Sequence, residues 1–131
     1  MIKGITSGAM DLLHAGHVLM LKECKENCDY LIVALQVDPS IERSWKNKPI
    51  ETLEERKIRL EGCKYVDEII TYETEEDYRN LLIKIKPDVR FIGMDHKDKP
   101  FTGDDLPIRI HFNSRNHNYS STNLRERIKN A

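Results

Sequence analysis

Ile2-Lys3-Gly4-Ile5-Thr6-Ser7-Gly8-Ala9-Met10-Asp11-Leu12-Leu13-His14-Ala15-Gly16-His17 passes from one kind of periodicity to another. Ile2 to Thr6 is a short apolar run that stops at Ser7-Gly8, as a strand does. From His17 to Lys25 the apolar residues Val18, Leu21 and Cys24 recur at helical spacing, with Lys and Glu between them. A strand handing over to a helix through a glycine-bounded loop is the opening of a βαβ unit.

The alternation continues along the chain. Tyr30 to Val37 is nearly continuous apolar sequence rich in β-formers, which fits a strand covered on both faces. Asp38 to Pro49 is polar, lacks a period and reads as a loop. Thr52 can cap a helix, with Glu55 completing a capping box, and that helix runs to about Gly62 with Ile58 and Leu60 partly inward. Val66 to Thr71 is a strand. Glu75 to Lys86 is a helix with Tyr78, Leu81, Leu82 and Ile85 on its apolar face, stopped by Pro87. Val89 to Gly93 and Ile108 to Phe112 are two more strands, separated by a charged loop over Lys97 to Leu106. A final helix runs from near Ser121 through Arg127.

Helices between strands imply right-handed crossovers and a parallel sheet. The expected fold is α/β: a three-layer, Rossmann-like arrangement of about five mostly parallel strands with helices on both faces. Residues 1–131 form one domain. In such folds ligands bind outside the carboxyl ends of the strands, at the switch in strand order. Residues 7–17, 38–48, 93–99 and 113–122 are therefore the places to look for chemistry.

Composition narrows the class. Hydrophobic residues are 39%, charged residues 33% and the formal net charge is −1. That is a globular balance with no basic stripe for nucleic acid or a membrane surface. No apolar run approaches the roughly 20 residues that span a bilayer, and the N-terminus has no signal-peptide core. Cys24, Cys28 and Cys63 lack disulfide-framework spacing. They read as free thiols in a reducing compartment, and the expected location is the cytoplasm.

The first loop carries His14 and His17 around Gly16, where a helix begins. Gly16 permits close backbone approach, and a helix N-terminus offers free N–H groups and partial positive charge to a phosphate. Two imidazoles there can donate to the oxygens of one phosphate. The alternatives at this point are two ordinary capping or surface histidines, or half of a zinc site without an obvious third ligand. Near the other end, Arg115 precedes Ser120, Ser121 and Thr122 at a helix start. These hydroxyls can cap the helix, or bind phosphate together with the arginine fork.

The segment Asp11-Leu12-Leu13-His14-Ala15-Gly16-His17 resembles the DLLHxGH form of the HxGH signature in the cytidylyltransferase branch of the nucleotidylyltransferase superfamily. Arg115 to Thr122 resembles the RTEGIST(S/T) motif of that branch. Lys46-Asn47-Lys48-Pro49, Glu55-Arg56-Lys57, Lys64 to Ile70 and Ile92 to His96 resemble its intervening segments. The chain's length is similar to that of compact glycerol-3-phosphate cytidylyltransferases. Three departures stand out: Ala9-Met10 where relatives have Thr-Phe, Asn116-His117-Asn118 where they have Thr-Glu-Gly, and His96 where a Trp is common. They surround the expected substrate pocket and bear on substrate more than on reaction.

The resemblance implies transfer of CMP from CTP to a phosphorylated small molecule, glycerol 3-phosphate first, giving CDP-glycerol and pyrophosphate. His14 and His17 are then expected on the α-phosphate, with Lys46 and Arg115 on the β- and γ-phosphates, as catalytic residues. Gly8, Ala9, Met10, Gly16, Lys48, Asp95, Ser120, Ser121 and Thr122 are expected around the nucleotide, and Asp11, Asp38 and Arg56 around the acceptor. Mg2+ is expected on the substrate phosphates and water, with no protein ligand assigned. A homodimer is implied by the family alone. The other readings are the same chemistry with another phosphorylated alcohol or sugar, the same chemistry with ATP, and a non-catalytic nucleotide-binding protein. A generic dinucleotide-binding domain would want a G-x-G-x-x-G run, which is missing.

Overall fold

Six of the seven residues of Tyr30–Gln36 are buried. Leu31, Val33 and Leu35 enter one core and Ile32 and Ala34 the other, as the two-residue repeat of a strand requires. The long apolar run is thus the signature of a strand with both faces covered. The computed structural model describes Met1 through Ala131. In chain order it holds β1 (Lys3–Gly8), α1 (Ala15–Glu26), β2 (Tyr30–Gln36), α2 (Pro39–Glu42), α3 (Leu53–Glu61) and β3 (Glu68–Tyr72). Then come α4 (Glu75–Ile85), β4 (Val89–Gly93), a 3-10 turn at Met94–His96, β5 (Arg109–Asn113) and α5 (Ser121–Lys129).

The five strands lie in the order β3-β2-β1-β4-β5, and every neighbouring pair is parallel. α1 and α3 pack on one face through Leu21, Cys24 and Leu60, against Leu31, Val33, Val89 and Phe91. α4 packs on the other through Tyr78 and Leu82, against Ile5 and Ile32. Leu21, Leu31, Leu35, Leu60 and Leu82 are fully buried, each worth about 1.5–3 kcal/mol of transfer free energy. The chain runs outward from β1 to β3 and then crosses back to β4. The carboxyl ends of β1 and β4 therefore diverge at a switch point, which opens a crevice there.

Local signals set most boundaries. Thr52 caps α3 and Thr74 caps α4, each in a reciprocal box with the residue three positions on, Glu55 and Asp77. Lys86, left-handed at φ 52°, ends α4 just before Pro87. Two side-chain expectations and one loop assignment are corrected. Ile58 is 57% exposed, because the inward stripe of α3 runs through Arg56 and Leu60 and Ile58 lies on the opposite side. Val18 is 37% exposed, because Gly16, Leu21 and Cys24 form the buried stripe of α1. The stretch read as an unbroken loop after β2 contains α2, whose single turn is set by Asp38 capping Ser40 and by Pro39 at its first position. The cysteines are free thiols, and burial pushes the Cys24 thiol up to about 12.

Candidate active site

The α1 N-terminus is built from histidines. His14 is the N-cap, and its Nδ1 accepts from the Gly16 amide at 3.0 Å. His17 reaches back, and its Nδ1 accepts from the His14 amide at 3.2 Å. This is a capping box with imidazoles in both roles. A neutral imidazole whose Nδ1 accepts carries its proton on Nε2. Both rings, with centroids 3.9 Å apart, therefore present Nε2–H donors away from the helix backbone. Burial, then the neighbouring His14, lowers the His17 pKa to about 4. Burial, then His117 and Arg115, lowers that of His14. At neutral pH both side chains are uncharged donors.

The α5 N-terminus meets them. Ser120 caps α5 by accepting from the Asn123 amide at 3.0 Å, and the Ser121 hydroxyl lies 3.1 Å from His14 Nε2. Neither helix carries an acidic residue in its first turn. Two helix N-termini thus converge on one cavity of about 350 Å³, the electrostatic arrangement that favours an anion. Its lining includes His14, His17 and Gly16 from one side, and Arg115, Ser120, Ser121 and Thr122 from the other. Asp95, after β4, closes a third side.

Gly16 has a second use here. A Cβ on it would stand 2.9 Å from His14 Cε1, 3.0 Å from the Tyr119 carbonyl oxygen and 3.1 Å from His117 Cε1. The absent side chain is what lets the tail lie on the start of α1. Sequence reading assigned that space to a ligand.

A larger crevice of about 950 Å³ adjoins this cavity and shares His17, Met20, Gly93, Asn113 and Ser121 with it. Gly8, Ala9, Met10, Asp11 and Lys46 line the crevice. Lys46 is exposed on the segment before α3. Lys48 lines neither space. Asp38, as the α2 cap, accepts from the Ser40 amide and hydroxyl and also lines neither. The Ser40 hydroxyl lowers its pKa, with smaller help from Lys48 and Arg56.

Asp11 and Arg56 are committed to the protein. Asp11 accepts from the Ile50 and Glu51 amides at 2.8 and 2.9 Å and from Arg125 at 2.9 Å. Arg56 is 2% exposed and donates to four backbone carbonyls, those of Ala9, Gln36, Val37 and Glu51. The sequence placed both at the acceptor; here their hydrogen bonds fix the loop that follows β1 against the segment before α3. That loop holds Met10 and Leu12 in left-handed backbone, at φ 52° and 51°, at a cost of order 1–3 kcal/mol each. Burial of the Met10 side chain and the bond from the Leu12 amide to Glu51 offset it.

Two site groups escaped the sequence. His117 lines the smaller cavity, and its Nδ1 accepts from the Tyr119 amide, so a third Nε2–H donor is available there. Its neighbourhood was read only as a departure from a motif. Glu23, on α1, accepts from His111, from Asn113 and from the Ser114 amide and hydroxyl. It thereby fixes the exit of β5 that leads to Arg115. No local signal distinguishes Glu23 from any other polar helix residue, since its partners lie about 90 positions away.

The chain has no cluster of three His, Cys, Asp or Glu side chains that could hold a metal ion. No helix is long and apolar enough to cross a membrane.

Comparison with known proteins bears on the family and the fold. The family model described as cytidylyltransferase-like matches residues 5–127. The bifunctional protein HldE of Campylobacter concisus is 36% identical over 96% of this chain, which covers 27% of that protein. HldE of Wolinella succinogenes is 39% identical over 77% of the chain, covering 21% of that protein. The chain therefore spans about a quarter of the length of the curated relatives it matches. Among solved structures, the lipopolysaccharide core biosynthesis protein of Thermoplasma volcanium superposes with a TM-score of 0.73 at 28% identity, covering 89% of this chain and 99% of that one. A pantoate-beta-alanine ligase from Francisella tularensis, 18% identical with a TM-score of 0.59, shares the fold over 95% of this chain and 64% of its own. Its sequence, its doubly wound sheet and this family match make the chain a member of the cytidylyltransferase-like nucleotidyltransferase family.

Proposed function

We propose that the chain transfers a nucleotidyl group from CTP to a phosphorylated polyol or sugar and releases pyrophosphate. The observation that carries the reading is the pair of uncharged Nε2–H donors on His14 and His17, set between two helix N-termini, with that of His14 beside the Ser121 hydroxyl.

The chemistry asks little of the protein beyond positioning. The acceptor phosphate is largely ionised at neutral pH, its second pKa being about 6, so no side chain need deprotonate it. One of its oxygens attacks the α-phosphorus in line. The bond from that phosphorus to the α–β bridging oxygen breaks, and pyrophosphate leaves with the electron pair. His14 and His17 donate to the α-phosphate oxygens as their charge grows. Arg115 and the α5 N-terminus at Ser120, Ser121 and Thr122 hold the β- and γ-phosphates, and Lys46 approaches from the crevice side. Magnesium, bound through the triphosphate and water, would supply charge neutralisation.

CTP is preferred as donor on the DLLHAGH segment and the family match. For the acceptor, glycerol 3-phosphate is the reading from sequence. The lipopolysaccharide core biosynthesis role named for the Thermoplasma volcanium protein favours a sugar phosphate instead, as does a crevice near the top of the roughly 300–1,000 Å³ range of small-molecule sites. The test is pyrophosphate release from CTP and ATP with magnesium across a panel of polyol and sugar phosphates. His14→Ala and His17→Ala should each lose about 100- to 1,000-fold in rate with unchanged circular dichroism. Activity within a few-fold of wild type in either variant removes the histidines from the reaction.

A further inference from the structure

Three imidazoles face the smaller cavity, and the third comes from the tail. His117 lies between β5 and α5, outside every helix and strand, and is half-buried. Its Nδ1 accepts from the Tyr119 amide at 3.1 Å, so the side chain closes a turn on its own backbone. The ring stacks on that of Tyr119, with centroids 5.3 Å apart and planes inclined at 29°. Its acceptor nitrogen is thus occupied and one of its faces is covered, which fixes the direction of the remaining nitrogen.

Gly16 shows where the ring stands. A Cβ there would lie 2.9 Å from His14 Cε1 and 3.1 Å from His117 Cε1, so two imidazoles from two different elements converge on the start of α1. The proximity is also electrostatic, since His117 follows burial as the next cause of the lowered His14 pKa. From Ser114 to Thr122 the tail carries Arg115, His117 and a run of hydroxyls, and no carboxylate. Closing the turn needs only an acceptor, and Asn, Asp or Ser would serve. The imidazole adds what those side chains lack at this position. With Nδ1 accepting, the neutral ring carries its proton on Nε2, at the end away from the turn.

We propose that His117 is a further catalytic residue, donating through Nε2–H to the β-phosphate as pyrophosphate leaves. The inference rests on the nucleotidyl-transfer reading above and assigns the leaving-group side of the same site. Position decides which phosphate it serves. His14 and His17 open α1 and take the α-phosphate in that reading, while Arg115 and Ser120 to Thr122 hold the β- and γ-phosphates. His117 belongs to the tail with the second set, yet reaches Gly16 beside the first. When the bond from the α-phosphorus to the bridging oxygen breaks, the electron pair stays on that oxygen and negative charge grows on the β-phosphate. A hydrogen bond from Nε2 strengthens as that charge develops, which is the condition for speeding the step. No proton is transferred: the imidazole stays neutral and keeps its Nε2 hydrogen.

Two substitutions separate the donor from the turn. His117→Asn keeps an acceptor for the Tyr119 amide and removes the Nε2 donor. His117→Gln sets an amide N–H near the place of Nε2 and weakens the turn. Both lie outside the helices and strands, so both variants should fold, which thermal melting followed by circular dichroism checks. The experiment measures initial rates of pyrophosphate release by the full chain with CTP or ATP, magnesium and the acceptor phosphate that wild type uses best, with inorganic pyrophosphate added as product inhibitor. His117→Asn should lose about 10- to 100-fold in kcat and need about 10-fold more pyrophosphate for the same inhibition, at an unchanged melting temperature. His117→Gln should retain most of both. A residue that only shapes the tail gives the reverse order, with Gln the poorer variant and Asn close to wild type. That order, or equal losses with unchanged pyrophosphate inhibition, overturns the assignment of His117 and leaves nucleotidyl transfer standing. No release by wild type with any acceptor and either nucleotide overturns both.

Discussion

Acidification offers a test of the histidine cap that needs no substrate. His17 titrates near 6.5 in an unfolded chain and at about 4 in the folded one, chiefly through burial. Between those values the unfolded state binds a proton that the native state refuses. Stability must therefore rise with pH across the window, and be lost as pH falls from about 6.5 to about 4. Below 4 this group adds no further loss. One pKa unit corresponds to about 1.4 kcal/mol, so the window is worth about 3 kcal/mol at most, and less because the ring keeps some solvent contact. For a small domain of ordinary stability that is a large share of the total. The perturbation that isolates it is His17→Asn, whose Oδ1 can replace Nδ1 as the acceptor from the His14 amide. Urea unfolding followed by far-UV circular dichroism at several pH values between 7.5 and 4 gives the two curves; tryptophan emission is a poor reporter, since Trp45 is 76% exposed. Glu23 and Asp67, whose carboxyl pKa values are lowered by hydrogen bonds in spite of burial, lose their contributions in acid in both proteins and cancel in the difference. Wild type should lose about 2–3 kcal/mol more than His17→Asn across the window. Parallel curves would show that the imidazole is not held neutral, and the donor argument for the α-phosphate would fall with it.

Other consequences are equally direct. Gly16→Ala puts a methyl group against the Tyr119 carbonyl and the rings of His14 and His117, so it should displace the tail and cost at least about 100-fold in rate while the melting temperature moves little; near-wild-type turnover would show that tail and α1 need not touch. Arg56→Met strips hydrogen bonds from four buried or half-buried carbonyls and should destabilise by about 3–5 kcal/mol, seen in urea denaturation; a loss under 1 kcal/mol would return Arg56 to the list of substrate ligands. Thr52→Ala removes the α3 cap and should cost about 1 kcal/mol without altering any KM. Chelation of magnesium should abolish turnover and leave the melting temperature of the free protein unchanged, as expected of an ion that arrives with the triphosphate.

What the residues alone could determine was whatever is encoded over a few neighbouring positions. The apolar run of β2, the caps at Thr52 and Thr74, the stop at Pro87 and the imidazoles around Gly16 are all local. From them follow the parallel sheet, its helical layers and the end of the sheet where the candidate site lies. Which charged side chain serves the fold and which is left free is settled by partners remote in sequence. Arg56 and Arg90 look alike as residues in amphipathic segments, yet the first is saturated by carbonyls drawn from three parts of the chain and the second is walled in by two rings. Glu23 acquires its role only when β5 is laid beside α1. Hydrogen-bond satisfaction is a property of three-dimensional neighbours, so only the tertiary structure could separate the groups bonded within the protein from those left without a partner.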